Sequence, residues 1–199
     1  LNIHFQSVTL SKRYPLRISR GESAGSVNLF CTVTEDGVTG LGEAAPGRLT
    51  GAESAEDCEN QIKDFLGENT QALDNPFDGW QMARDAGVAP CAWAAVDTAL
   101  WDLLARSQSK PLYRLLGLPR RAVPTSVTIG ILPPDVVRER VPEVIQRTGA
   151  RYLKVKLGSP EGLDADCEMF SAVQEAASSF DVKVRVDANG GWNLKDAQK

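Results

Sequence analysis

The sequence predicts an α/β protein in two parts: an α+β segment over residues 1–120, and the start of a parallel βα barrel over residues 121–199. Three observations carry this. The chain opens with short stretches rich in apolar and β-branched residues, the last two joined by Glu35-Asp36-Gly37, a hairpin signal. Two amphipathic helical patterns follow. Beyond Gly117-Leu118-Pro119, strands alternate with helices of roughly 10 to 15 residues, which is the texture of parallel βαβ units.

Taken in order, residues 3–10, 26–34 and 38–43 read as the strands of a small antiparallel meander. A helix is expected over 52–66 and a second over 90–106, where Trp93, Val96, Leu100, Leu103 and Leu104 fall on one face, and it ends before Lys110-Pro111. Residues 123–129 read as a strand, and 135–147 as a helix opened by Pro133-Pro134. Residues 152–157 read as a strand, 164–177 as a helix, and 182–186 as a third strand leading into Asp187-Ala188-Asn189-Gly190-Gly191-Trp192. These units fit the beginning of a (β/α)8, TIM-type barrel, although periodicity alone equally allows an open doubly wound sheet. The chain starts at Leu1 rather than Met, and Asn193 caps a run of helix formers too short to nucleate well before Lys199. An incomplete chain with a truncated barrel is therefore expected.

Composition narrows the function. With 42% hydrophobic residues the chain should be globular, and its 22 basic and 26 acidic residues are intermixed to a net charge of -4. No basic block tracks phosphates, so nucleic acid is excluded as a partner. No stretch approaches the roughly 18 apolar residues of a bilayer span and the first residues alternate like a strand, so no membrane is expected and the address is cytoplasmic. Cys31, Cys58, Cys91 and Cys167 form no CxxC pair and read as buried free thiols. His4 has a structural reading, and Trp93, Trp101 and Trp192 read as packing residues.

Lys154-Val155-Lys156 is the most informative triplet. Side chains alternate on a strand, so the two lysines share one face, roughly 7 Å apart. Two ammonium groups turned into a barrel repel each other, and one can then act as a base; lysines on an exposed strand face would look the same. Asp187 ends the next strand, where barrel sites are built, and Asn189 follows in the loop. A carboxylate there is a natural ligand for Mg2+, or else a turn or capping aspartate. The order of the two motifs, one strand apart, is more specific than either alone.

A KxK (Lys154, Lys156) followed one strand later by DxN (Asp187, Asn189) resembles the muconate-lactonizing subgroup of the enolase superfamily. Gly40-Leu41-Gly42-Glu43-Ala44-Ala45-Pro46 resembles the family's GxGEaxP stretch. Ala99-Leu100-Trp101-Asp102-Leu103-Leu104-Ala105, through Pro111-Leu112-Tyr113 to Leu116-Gly117, resembles its capping-domain helix and exit. The resemblance implies an enolase-like fold, with an α+β capping domain ahead of an incomplete (β/α)8 barrel. It implies abstraction of the proton α to a carboxylate, with Mg2+ stabilising the enediolate. Lys156 would be the base, Lys154 the cation beside it that contacts the substrate carboxylate, Asp187 the first metal ligand and Asn189 its support.

Within the subgroup the chain is most similar to L-Ala-D/L-Glu (dipeptide) epimerases. Arg20 resembles their capping-loop arginine that meets the substrate's side-chain carboxylate, Thr50, in Leu49-Thr50-Gly51-Ala52-Glu53, their neighbouring loop, and Thr128 the threonine of their first barrel strand; the resemblance implies that all three bind substrate. From the residues alone, Arg20 reads equally as a surface cation, Thr50 as a helix N-cap and Thr128 as an ordinary strand former. The expected partner is a small dipeptide or other carboxylate, and a homo-oligomer is left open. o-Succinylbenzoate synthase or muconate cycloisomerase activity would use the same lysines and metal. A truncated interaction module without catalysis is the reading of another class, and the 199 residues alone are expected to be catalytically silent.

Overall fold

The computed structural model describes residues 1–47, 49–121 and 123–199. The chain forms two compact units: residues 1–11 with 25–121, and residues 12–24 with the segment that follows Arg121. Residues 12–24 therefore group with residues far away in sequence, which a division at one point of the chain does not anticipate.

β1 (Asn2–Ile18), β2 (Gly21–Glu35) and β3 (Val38–Ala44) lie in that order in one sheet, of which residues 2–11, 25–35 and 38–44 belong to the first unit. β2 and β3 pair antiparallel from Leu29 opposite Ala44 to Glu35 opposite Val38. The turn between them is Asp36-Gly37, both at positive φ (48° and 78°), as a tight hairpin requires. β1 and β2 extend well beyond the expected 3–10 and 26–34. The far half of β1 sets Tyr14, Leu16 and Ile18 at every second position, each half-buried, but Pro15 within that short alternation argues against a strand and masks it in the sequence.

α1 (Ala55–Glu68) starts later than residue 52, because Ser54 is its cap: Ser54 Oγ accepts from the Asp57 amide at 3.0 Å, and Asp57 in turn accepts from the Glu53 amide at 2.9 Å. α2 (Pro76–Asp85) was not expected, although its start is well marked by Asn75, whose side chain accepts from the Phe77 amide at 2.9 Å, and by Pro76. Pro76 and Gly79, two poor helix formers within ten residues, hid it. α3 (Pro90–Ser107) lies directly on β3. A Cβ on Gly40 would sit 2.1 Å from the Ala99 carbonyl oxygen, and one on Gly42 1.9 Å from that of Ala95, so only glycine admits the helix backbone here. The Leu41 amide donates to Asp102 at 2.9 Å across the same contact. Leu29, Cys31 and Val33 of β2 share the core with Ile62, Val96 and Leu100, each burial contributing about 1.5 to 3 kcal/mol for the larger side chains. Trp93 packs edge-on against Phe65, and Trp101 against Phe77. α4 (Leu112–Leu115) closes the unit.

The second unit alternates β4 (Val127–Ile129), α5 (Pro134–Thr148), β5 (Tyr152–Lys156), α6 (Leu163–Ala177), β6 (Lys183–Asp187) and α7 (Leu194–Ala197). β4, β5 and β6 are parallel neighbours in that order. β4 is shorter than the expected 123–129, since Pro124 has no N–H to give a ladder. Leu153 and Val155 are fully buried among Val137, Val141, Met169 and Val173 of the helices. The other face of the sheet carries Lys154, Lys156, Arg185 and Asp187. A second helix layer, as in a doubly wound sheet, would need apolar side chains there. The charged face is that of a barrel interior.

Among the described residues no helix is long and apolar enough to cross a membrane. His4 is exposed on β1. All four cysteines are free; Cys31 and Cys58 are buried, Cys91 is half-buried, and Cys167 departs from the expectation by lying exposed on α6. Burial pushes the Cys31 thiol up to about 12, which leaves it inert.

Candidate active site

Parallel pairing sets Lys154 beside Arg185 and Lys156 beside Asp187. Lys156 is 8% exposed, and its Nζ lies 2.8 Å from Asp187 Oδ2 and 2.8 Å from Asn189 Oδ1. Lys154 Nζ stands 3.6 Å from the same Asp187 oxygen. The second oxygen, Oδ1, accepts from the Asn189 amide at 3.0 Å, a turn for which Asn189 takes φ 49°, a conformation asparagine tolerates. The hydrogen bond from Lys156, then the Asn189 amide, with the charges of both lysines, hold the Asp187 carboxyl down to about 2. It is ionised throughout the neutral range.

Thr128 pairs with Lys154 across β4 and β5, so Thr128, Lys154 and Arg185 form one row below the Lys156 and Asp187 row. Arg185, whose guanidinium donates to Ser126 Oγ at 2.6 Å, was missed in the sequence. Its i, i+2 spacing from Asp187 was the signal. Arg20 is exposed in the turn between β1 and β2. The residues before it are fastened to all three strand exits: the Ile131 amide donates to the Arg17 carbonyl at 2.9 Å, Arg17 pairs with Glu161 at 2.8 Å, and Ser19 Oγ donates to the Asn189 carbonyl at 3.2 Å. Thr50 belongs to the first unit. It caps no helix, and its Oγ1 donates to the Gly47 carbonyl at 2.9 Å in a tight turn.

Asp187 has the chemistry of a magnesium ligand, a hard ionised carboxylate at the barrel mouth. It is a single ligand, however, with Asn189 Oδ1 already engaged by Lys156, and the described residues hold no grouping of three His, Cys, Asp or Glu able to bind a metal. Mg2+ asks for near-octahedral oxygen coordination, which one carboxylate does not supply. In the first unit a cavity of about 600 Å3, lined by Phe77, Trp101, Leu104 and Leu116, offers no comparable cluster of charged groups. The lysine pair with Asp187 is therefore the candidate site.

Residues 2–117 match the family described as mandelate racemase / muconate lactonizing enzyme, N-terminal domain. Over 199 residues the chain is 56% identical to a hydrophobic dipeptide epimerase of Roseobacter litoralis, a match that covers all of this chain and 57% of that protein. An L-Ala-D/L-Glu epimerase of Clostridium acetobutylicum is 30% identical over 195 residues, covering 96% of this chain and 53% of that protein. The crystal structure of a dipeptide epimerase from Enterococcus faecalis V583, complexed with Mg and the dipeptide L-Leu-L-Tyr, superposes with a TM-score of 0.82 at 30% identity, over 98% of this chain and 55% of that one. The chain thus spans about half the length of the curated relatives it matches. Family match, capping-domain motifs and the lysine-bearing parallel sheet agree, and the chain belongs to the mandelate racemase/muconate lactonizing enzyme family of the enolase superfamily.

Proposed function

We propose that this chain is the N-terminal part of a dipeptide epimerase that removes and returns the proton α to a carboxylate, with Lys156 as the base on one face. The observation that supports this most directly is the placement of Lys156 Nζ between Asp187 Oδ2 and Asn189 Oδ1. Lys156 is charged where it holds Asp187 down, and once deprotonated its amine keeps two N–H bonds for those oxygens and leaves its lone pair for the α-proton. Lys154, on the same face and 3.6 Å from Asp187, is placed to meet the substrate carboxylate. Asp187 would hold Mg2+ together with ligands outside this chain, and the ion would stabilise negative charge on that carboxylate. Inversion also needs an acid on the opposite face of the α-carbon, which we assign to the remainder of the protein. Asn189 keeps Lys156 in place, and Thr128, in register with Lys154, is assigned to substrate binding. The free thiols fit the reducing cytoplasm, where we place the protein.

For the substrate, the relative at 56% identity supports a dipeptide with apolar side chains. L-Ala-D/L-Glu remains the second reading, favoured by the exposed guanidinium of Arg20 beside Ser19, which touches the loop after β6. Incubating the full-length protein and Mg2+ with L-Leu-L-Tyr or L-Ala-L-Glu in deuterated water, and following loss of the Cα–H resonance, tests both. We expect exchange from both dipeptides, faster with L-Leu-L-Tyr. Preference for L-Ala-L-Glu would favour the Arg20 reading, and silence with every dipeptide would remove the proposal.

A further inference from the structure

Within the second unit α6 buries a carboxylate that neither lysine touches. Asp166 is 2% exposed. Its Oδ2 accepts from the Gly158 amide at 2.8 Å and from Trp192 Nε1 at 2.7 Å, and its Oδ1 accepts from the Ser159 amide at 3.0 Å. Burying a carboxylate is costly, and in a core an apolar residue of similar shape often serves stability as well or better. What the carboxylate joins is therefore informative. Gly158 and Ser159 follow directly on Lys156 and Leu157, while Trp192 lies just beyond Asn189. One side chain thus ties the loop after β5 to the loop after β6.

Those loops meet at backbone distance. A Cβ on Gly158, at φ 82°, would lie 2.5 Å from the Ala188 carbonyl oxygen, and one on Gly191 would lie 2.8 Å from Gly158 Cα and 2.9 Å from Ser19 Cβ. The Leu157 amide adds a bond to the Asp187 carbonyl at 3.1 Å. Two strand ends whose loops are this closely joined cannot slide without breaking the Asp166 bonds. Lys156, Asp187 and Asn189 are the side chains such sliding would separate.

We propose that Asp166 is a positioning residue, whose buried carboxylate clamps the loops after β5 and β6 and so fixes Lys156 against Asp187 and Asn189. This rests on the reading of Lys156 as the base. In the full-length protein, Asp166→Asn presents an NH2 group where a donor must be accepted. We expect kcat for α-proton exchange to fall about 10- to 100-fold, with KM within about twofold of wild type. Trp192→Phe removes one donor and leaves both amide bonds, and should lower kcat by less than about tenfold in a protein that folds normally. A merely structural role would lower the melting temperature without this split between kcat and KM. Wild-type kcat in a folded Asp166→Asn variant, or in Trp192→Phe should Asp166→Asn fail to fold, would overturn the proposal, as would a rise in KM at constant kcat. If wild-type protein exchanges no dipeptide proton, the functional reading fails by itself. The clamp is then decided by crystal structures of the same variants: a Lys156 to Asp187 separation longer by about 1 Å would uphold it, and an unchanged separation would overturn it.

Discussion

β3 and β5 use the same two-residue alternation to opposite ends. On β3 the glycines at 40 and 42 let α3 approach within backbone contact, and the strand serves packing. On β5 the alternation separates Leu153 and Val155, sealed under the helices, from Lys154 and Lys156, which meet Asp187 on the other face. In one unit the period builds a wall; in the other it builds a wall and a charged surface at once. The second arrangement is the more exposed to damage, because the charged face and the core share a backbone.

The largest expected effect lies on the reactive face. Lys156→Ala in the full-length protein should reduce exchange of the α-proton from at least one substrate enantiomer by about 10^2- to 10^4-fold, read by NMR in deuterated water, while the melting temperature stays near wild type. Undiminished exchange of both enantiomers would show that the polar face of β5 does no proton transfer. Next comes the packing strand. Gly42→Val places its Cβ against the Ala95 carbonyl, 1.9 Å away, and should cost about 4 kcal/mol in urea unfolding, enough to abolish a marginal fold. A loss below about 1 kcal/mol would mean that α3 can retreat from β3 cheaply.

Leu153→Ala tests the buried side of β5. It should cost about 3 kcal/mol of stability, since Leu153 is fully buried, yet it leaves the lysine face chemically intact. A loss of kcat much larger than the loss of folded protein would show the two faces to be coupled. The smallest effect is electrostatic. In metal-free protein the Asp187 carboxyl resonance should titrate with a midpoint near 2 rather than the ordinary 3.8. Because the folded value is the lower one, the stabilisation from this pairing is present above the ordinary value and is lost as pH falls towards 2. A midpoint near 3.8 would place both lysines away from Asp187.

Much of this was legible in the sequence because the second unit obeys simple periods. Lys154 and Lys156 share a face by alternation alone, and Asp187 with Asn189 could be set at a strand exit by counting one βα unit. Arg185 was as legible as the lysines but carried no motif to mark it. Asp166 was not legible, because an aspartate in the first turn of a helix ordinarily faces water, and only the folded loops reveal its three donors. The helix over Pro76–Asp85 was hidden by its shortness and by Gly79 within it, despite its Asn-Pro start. The length of β1 was hidden because Pro15, among the charged Lys12, Arg13 and Arg17, masks the short alternation of Tyr14, Leu16 and Ile18.

The grouping of residues 12–24 with the second unit bears on how the chain acquires its structure during synthesis. Arg17 and Glu161 are 144 positions apart, and Ser19 and Asn189 are 170 apart. At roughly 5 to 20 residues per second, the hairpin tip leaves the ribosome on the order of ten seconds or more before its partners exist. Closing such loops late is the slow part of folding, and a nascent strand pair is meanwhile free to join a neighbouring chain. Lys12, Arg13 and Arg17 charge that edge, and Pro15 removes one of its amides. The charges and the proline that concealed this strand in the sequence are thus the features that, on general grounds, discourage pairing of an exposed edge.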